Sequence, residues 1–93
     1  RALGVDLIIT DHHEPEASLP RAVAVINPRR PDCAYPEKSL AGAGVAFKVV
    51  QALLEDSGAS RDLLPSFLKL AAIGTMADVV PLVGENRVIA RYG

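Results

Sequence analysis

The sequence is poor in cysteine and in aromatic residues. Its single cysteine, Cys33, excludes an internal disulfide and is typical of a reducing compartment, which predicts a cytoplasmic protein. The chain has two tyrosines, two phenylalanines and no tryptophan. It therefore offers few of the aromatic side chains on which single-stranded nucleic acids usually stack.

The sequence also lacks a basic surplus and a long apolar run. A formal net charge of −1 gives no electrostatic sign of nucleic-acid binding over the chain as a whole. No run approaches the roughly eighteen consecutive apolar residues of a membrane span, and no signal peptide is visible. The composition therefore predicts no membrane partner.

What the sequence does have is a large apolar fraction for its length. Hydrophobic residues make up 49% of 93 residues, although short chains have proportionally little interior. The sequence starts close to a predicted strand, and its last predicted helix, Glu85–Tyr92, is short. We therefore expect residues 1–93 to be a single partial domain, whose apolar faces meet upstream strands and downstream domains outside it.

An apolar run that leads into one acid and two adjacent histidines is the most informative stretch. Val5–Thr10 predicts a buried strand of a parallel sheet with flanking helices. Asp11, His12 and His13 would then lie at its carboxyl end, where open α/β sheets bind ligands. Neighbouring side chains on a strand point to opposite faces. Two histidines of one site must therefore lie on a bend after the strand. We expect them to diverge there and to take different roles. The structural alternative is a solvated pair with a capping aspartate.

A second apolar segment, Ala22–Ile26, predicts another buried strand, parallel to the first. Residues 27–39 then contain three prolines, which fix φ and remove backbone donors, so they predict a loop without regular structure. Loops of this length are often functional. An irregular surface excursion is the alternative interpretation.

The clearest helix is predicted over Leu40–Ser57, with Gly58 as its C-cap. Its polar residues form one narrow stripe, which predicts a mostly buried helix. The very small residues at 41–44 permit either close packing or anion binding by free N–H groups.

A second helix is predicted over Asp62–Ile73, with Pro65 in its first turn and Gly74 as the residue that breaks it. The residues expected to face the interior are Phe67, Leu68, Leu70, Ala71 and Ile73. Asp78 follows as the only acid between Asp62 and Glu85. Because a buried carboxylate is costly unless a cation or donors meet it, Asp78 is either a functional acid or a cap of the next turn.

In this order the motifs resemble the DHH phosphoesterase superfamily and, within it, the RecJ-like single-strand-specific exonucleases. Asp-His-His at 11–13 marks the superfamily, whereas Ala-Gly-Ala-Gly at 41–44 and Gly-Thr-Met-Ala-Asp at 74–78 favour the RecJ-like branch. Asn-Pro at 27–28 and Cys-Ala-Tyr-Pro at 33–36 fit the same order. The resemblance covers essentially the whole sequence but only the later part of the family's catalytic domain. It implies an α/β fold with a parallel-sheet core and flanking helices.

The resemblance also implies roles for the matched residues. His12 and Asp78 would be metal ligands, His13 would contact the scissile phosphate, and Asp11 would orient an imidazole. The implied cofactor is Mn²⁺, or Mg²⁺, in a two-metal site. The family's other ligands lie in earlier motifs, including an Asp-x-Asp-Gly block that this sequence does not contain. We therefore expect this chain by itself to be inactive.

The implied activity is metal-dependent 5′→3′ hydrolysis of single-stranded DNA, in DNA repair and recombination, with other repair proteins as further candidate partners. Within this chain we assign Arg29, Arg30 and Lys38 to a local contribution to DNA binding. One alternative is a DHH phosphodiesterase that acts on oligoribonucleotides or cyclic dinucleotides. The other is a non-catalytic DHH-like scaffold, which has no need of both His12 and Asp78.

Overall fold

The computed structural model describes residues 3–93, in which two short strands precede three α-helices. The strands pair in parallel, with Ile9 opposite Val25, so the predicted α/β class and the parallel pairing are confirmed. The elements are β1 Ile8–Thr10, β2 Ala24–Ile26, α1 Gly42–Ser57, a 3₁₀ turn at Arg61–Leu63, α2 Leu64–Ala77 and α3 Gly84–Tyr92.

The strands are shorter and less buried than predicted. Val5 and Leu7 precede β1 and are 64% and 52% exposed, and Ile8 within β1 is 61% exposed. Among residues 3–93 the sheet has two strands. Each strand is therefore an edge strand, and much of the sheet surface is not covered by other elements. The expectation of buried strands is therefore wrong for this chain by itself.

Helix α1 begins two residues later than predicted, because Ala41 is in the extended conformation. It ends as predicted at Gly58, whose φ of 68° lies in the left-handed region that glycine tolerates. Gly44 and Val45 are its buried residues, whereas Leu53 is 63% exposed. The prediction of a mostly buried helix is thus wrong for this chain, since only the start of α1 reaches the core.

Gly74 lies inside α2 and does not break it. A Cβ at this position would lie 2.4 Å from the Cβ of Ala43 on α1, so the absence of a side chain allows the two helices to approach closely. The buried residues of α2 are the small ones, Ala71, Ala72 and Thr75. The expected interior positions Phe67, Leu70 and Ile73 are 37%, 64% and 67% exposed, respectively. Because the helices pack closely, the face of α2 that carries small residues is buried, and the face that carries these bulky residues is exposed.

Gly74→Ala is expected to destabilise the chain by about 1–3 kcal/mol, the usual cost of overpacking, although alanine has the higher helix propensity by about 1 kcal/mol. Urea unfolding followed by circular dichroism measures the change. The matched test is the double variant Ala43→Gly/Gly74→Ala, which should recover part of the loss because it removes the opposing methyl group. If the two single effects simply add, the Ala43 contact is not the cause.

The core joins all three helices through Leu40, Val45, Ala71, Ala72 and Ile89, with Ile26, Tyr35, Phe47 and Leu68 packed against it. The proline-containing loop over residues 27–39 is attached to the first turn of α3. The Tyr35 hydroxyl donates to the Glu85 carboxylate, and Glu37 accepts the Glu85 backbone N–H at 3.2 Å. Lys48 on α1 pairs with Glu85 at 3.0 Å. These contacts connect both the loop and α1 to the first turn of α3.

Tyr35→Phe is expected to reduce the pH dependence of stability in acid. Burial alone raises the pKa of Glu85, but the hydrogen bonds from Tyr35 and Lys48 outweigh it and hold the pKa below its usual 4.5. A lowered pKa stabilises the fold above the unfolded value, and this stabilisation is lost as the pH falls through the folded value. Without the hydroxyl, the stability lost between about pH 7 and about pH 3 should shrink. Urea unfolding at both values measures it, with exposed Tyr92→Phe as control; an unchanged difference would refute the argument.

Candidate metal centre

Asp11 turns the chain sharply at the end of β1. Its backbone N–H continues the ladder by donating to the carbonyl of Ile26 at 3.0 Å. Its carboxylate oxygen Oδ1 accepts the backbone N–H groups of His12 and His13 at 2.7 and 3.2 Å, and lies 2.7 Å from Nδ1 of His13. The side-chain hydrogen bond with His13 is the main reason that the pKa of Asp11 is lowered. Asp11 therefore shapes the bend and orients one imidazole.

The two histidines lie on this bend after the strand, as predicted. Their rings are close, with centroids 4.2 Å apart and planes inclined by 43°, so the expectation that they diverge is wrong. The contacts of the two rings nevertheless differ. His13 is exposed and contacts Asp11, whereas the side chain of His12 is only 20% exposed and contacts Asp78.

His12 and Asp78 come together although they are distant in the sequence. Nδ1 of His12 lies 3.4 Å from Oδ2 of Asp78. The opposite edge of the imidazole faces Gly42 at the start of α1, where an added Cβ would lie 3.2 Å from Cδ2 of His12. The small residue at position 42 therefore leaves room for the ring, and Nδ1 is the nitrogen that faces the carboxylate.

Asp78 occupies the C-cap of α2 and does not cap the next helix, whose N-cap is Val83. The alternative role of Asp78, as a cap of the next turn, stays a prediction. A negative charge at a helix C-terminus is unfavourable, because the partial charge there is also negative. A cation beside Asp78 would offset this cost. Val79, the next residue, has a φ of 55°, which is a strained conformation for a β-branched residue and turns the chain away from the helix axis.

Asn27 holds the histidine bend against the end of β2. The residue is 4% exposed, its Nδ2 donates to the carbonyl of His13 at 2.8 Å, and its Oδ1 accepts the backbone N–H of Arg29 at 3.0 Å. The sequence placed Asn27 at the start of the predicted loop and in the Asn-Pro motif, without a role in the site. The available signal was its position, since an amide at the end of β2 lies beside the end of β1.

A cavity of about 320 Å³ opens beside His12 and is called the His12 cleft below. Its walls are residues 38–40 and 80–81, and Arg29 also lines it. Arg29 pairs with Glu14 at 2.9 Å. Lys38 donates to the carbonyls of Pro28 and Cys33, both at 2.7 Å. The structure thus brings two of the three predicted cationic residues to the cleft.

Arg30 does not line the His12 cleft. Its guanidinium group donates to both carboxylate oxygens of Asp32, at 2.9 and 2.6 Å, and to the carbonyl of Val25 at 2.7 Å. The hydrogen bonds with Asp32 raise the pKa of Arg30. These contacts tie the start of the loop to β2, which is a structural role.

The residues present fit part of a metal site. Donor atoms of Asp11, His12 and His13 all lie within 4.8 Å of one another, and Asp78 adds a second carboxylate. The 3.4 Å between His12 and Asp78 is close to the roughly 3 Å that separates adjacent ligands of an octahedral ion. Mixed imidazole and carboxylate donors suit Mn²⁺. Four side chains cannot complete two six-coordinate ions, so the set is only part of a two-metal site.

The chain is similar to known exonucleases over its whole length. The chain is 54% identical over 93 residues to the single-stranded-DNA-specific exonuclease RecJ of Bacillus subtilis (strain 168), covering 100% of this chain and 11% of that protein. It is 48% identical over 102 residues to RecJ of Escherichia coli (strain K12), covering 100% of this chain and 18% of that protein. The chain therefore spans less than a fifth of the length of these relatives.

A crystal structure of exonuclease RecJ bound to manganese superposes with a TM-score of 0.82 at 41% identity, covering 97% of this chain and 22% of that one. The resemblance drawn from the motifs is thereby confirmed. The protein-family model of the DHH family, N-terminal domain, matches residues 1–75. Because that match includes the Asp-His-His bend, both strands and helix α1, the chain belongs to the DHH family.

Proposed function

We propose that this chain is part of the catalytic domain of a divalent-metal-dependent exonuclease that hydrolyses single-stranded DNA in the 5′→3′ direction. The observation that carries the proposal is the contact between His12 and Asp78 beside the Asp11–His13 pair. The similarity to RecJ proteins over the whole chain supports the same substrate. The manganese bound by the similar crystal structure supports Mn²⁺ as the cofactor here.

In this proposal His12 and Asp78 hold a divalent ion. When bound, such an ion lowers the pKa of a water nucleophile and neutralises charge on the phosphoryl oxygens. Asp11 engages Nδ1 of His13 at 2.7 Å, which leaves Nε2 to meet a phosphate oxygen. Asn27 holds the carbonyl of His13 at 2.8 Å, so the bend that carries both imidazoles is fixed before substrate binds.

Arg29 and Lys38 supply positive charge for DNA phosphates at the His12 cleft. The ion pair between Arg29 and Glu14 is exposed, and exposed pairs contribute only about 0–1 kcal/mol, so a phosphate can displace Glu14. Lys38 uses two donors on backbone carbonyls and has a third N–H for a phosphate. Arg30 has weaker support as a DNA contact, because it does not line the His12 cleft and because Asp32 and Val25 occupy three of its five N–H donors.

The test uses the full-length protein with Mn²⁺ and matched substrates labelled at the 5′ or the 3′ end. Single-stranded DNA should be shortened from its 5′ end, while duplex DNA and RNA of the same sequence should be degraded far more slowly. Hydrolysis confined to short oligoribonucleotides or cyclic dinucleotides would replace the proposal with the phosphodiesterase alternative. Metal binding without hydrolysis of any of these substrates would favour the scaffold alternative.

The isolated 93-residue chain is expected to be inactive and to bind Mn²⁺ weakly. The reason is the ligand count, since the imidazole of His12 and the carboxylate of Asp78 cannot fill the coordination shells of two octahedral ions. Isothermal titration calorimetry of the isolated chain measures this affinity. Sub-micromolar binding of two ions would show that this ligand count is wrong.

Two further predictions concern the whole protein. A cytoplasmic location is predicted from the single cysteine, and other repair proteins are proposed as partners through the similarity to RecJ. Within residues 3–93, no helix combines the length and the apolar character needed to cross a bilayer.

A further inference from the structure

Asn86 joins the two walls of the His12 cleft through its side-chain amide. It lies in the first turn of α3 and is 0% exposed. Its Nδ2 donates to the carbonyl of Ser39 at 2.6 Å and to the carbonyl of Pro81 at 3.0 Å. Ser39 belongs to one wall of the cleft and Pro81 to the other. We infer that Asn86 is a positioning residue, which sets the separation of the walls and thereby keeps Asp78 beside His12.

The two walls differ in how else they are held. Leu40, next to Ser39, is 2% exposed and belongs to the core cluster, so the first wall is anchored by packing. The second wall follows Asp78 through Val79, whose left-handed conformation interrupts the helix. Val79 and Leu82 are 86% and 49% exposed, so packing contributes little there. The hydrogen bond from Asn86 to Pro81 therefore ties this segment to α3.

Other contacts between the loop and α3 do not serve this purpose. Tyr35 and Glu37 both connect the loop to Glu85, but neither contact reaches Pro81. The donor half of Asn86 makes both bonds, whereas its Oδ1 is buried without a hydrogen-bond partner among the described residues. Replacing the amide nitrogen with an oxygen therefore removes both hydrogen bonds to the walls and changes the shape of the side chain very little.

This inference rests on the proposed function, since it concerns the same metal centre. The test compares Asn86→Asp in the full-length protein with Ile89→Ala on the same helix. Asp presents an oxygen to two carbonyl oxygens, so the walls should separate. Ile89 is 4% exposed and belongs to the core, so its truncation weakens the packing of α3 and leaves the amide bridge in place. Asn86→Ala replaces Asn86→Asp if the latter does not fold.

Two readouts are needed besides activity. Mn²⁺ binding without DNA, followed by electron paramagnetic resonance, should weaken about tenfold or more in the Asn86 variant, as on loss of groups that orient metal ligands. In metal-free protein, hydrogen exchange should accelerate over residues 79–83. The Ile89→Ala variant is compared with the Asn86 variant under conditions in which both have lost the same thermal stability. There, Ile89→Ala should leave the Mn²⁺ affinity and the exchange over residues 79–83 nearly unchanged.

The inference is overturned if Mn²⁺ affinity follows thermal stability equally in both variants, or if exchange over residues 79–83 does not change. A wild-type protein that binds Mn²⁺ but does not hydrolyse single-stranded DNA would contradict the proposed function instead. The comparison of exchange rates in metal-free protein would still decide the role of Asn86.

Discussion

His12→Ala and Asp78→Ala are each expected to weaken Mn²⁺ binding by at least about tenfold to a hundredfold, the range seen even for residues that merely orient metal ligands. The donor atoms of the two side chains face each other, with Nδ1 of His12 3.4 Å from Oδ2 of Asp78. Because each variant removes one ligand and leaves the rest of the site, excess Mn²⁺ should restore part of the nuclease activity. The measurement is a Mn²⁺ titration of activity in the full-length protein.

Asp62→Ala provides the matched control for Asp78→Ala. Asp62 is an exposed acid in the 3₁₀ turn before α2, and its loss should not change the Mn²⁺ dependence. The assignment fails if Asp78→Ala has the Mn²⁺ dependence of wild type, or if saturating Mn²⁺ recovers no activity in either the His12 or the Asp78 variant.

His13→Ala is expected to leave Mn²⁺ affinity nearly unchanged and to lower kcat by about two to three orders of magnitude, the typical cost of losing one preorganised group that meets developing charge. The structural reason is that Nδ1 of His13 is engaged by Asp11 at 2.7 Å, whereas the imidazole is largely exposed. Asp11→Asn should act through the same residue, lowering kcat by a smaller factor. Steady-state kinetics at saturating Mn²⁺ and Mn²⁺ titrations separate the two effects.

The alternative for His13 is a shared-ligand model, in which both imidazoles bind metal. The close approach of donor atoms from Asp11, His12 and His13, within 4.8 Å, makes this a concrete competitor. Equal losses of Mn²⁺ affinity in the His12 and His13 variants would establish it. A normal affinity with low kcat in the His13 variant would exclude it.

Local sequence patterns predicted the elements of this chain well. β-Branched runs indicated both strands, Gly58 marked the end of α1, and Asp-His-His after an apolar run predicted a bend at the carboxyl end of β1. These features depend on residues close together in the chain, such as a C-cap glycine or an aspartate that accepts the next two N–H groups. Such contacts are nearly independent of the rest of the fold.

Burial could not be predicted in the same way. Gly74 has the lowest helix propensity among the residues of α2 apart from proline, yet the helix continues through it because Ala43 packs where a side chain would stand. Leu70 and Ile73 were expected inside and are exposed, while Ala72 and Thr75 are buried. Which face of a helix is buried depends on its neighbours, and the pattern of a single segment does not contain them.

The sequence by itself determined the α/β class, the order of the elements, the candidate ligands His12 and Asp78 and, through its motifs, the DHH family. Only the tertiary structure decided that His12 faces Asp78, that Arg29 and Lys38 but not Arg30 reach the cleft, and that Asn27 and Asn86 hold its parts together. The physical reason is distance along the chain. The contact of Asn27 with His13 forms when β1 and β2 pair, and the contact of Asn86 with Ser39 forms when α3 packs against the loop, so the pattern of a single segment does not contain either of them.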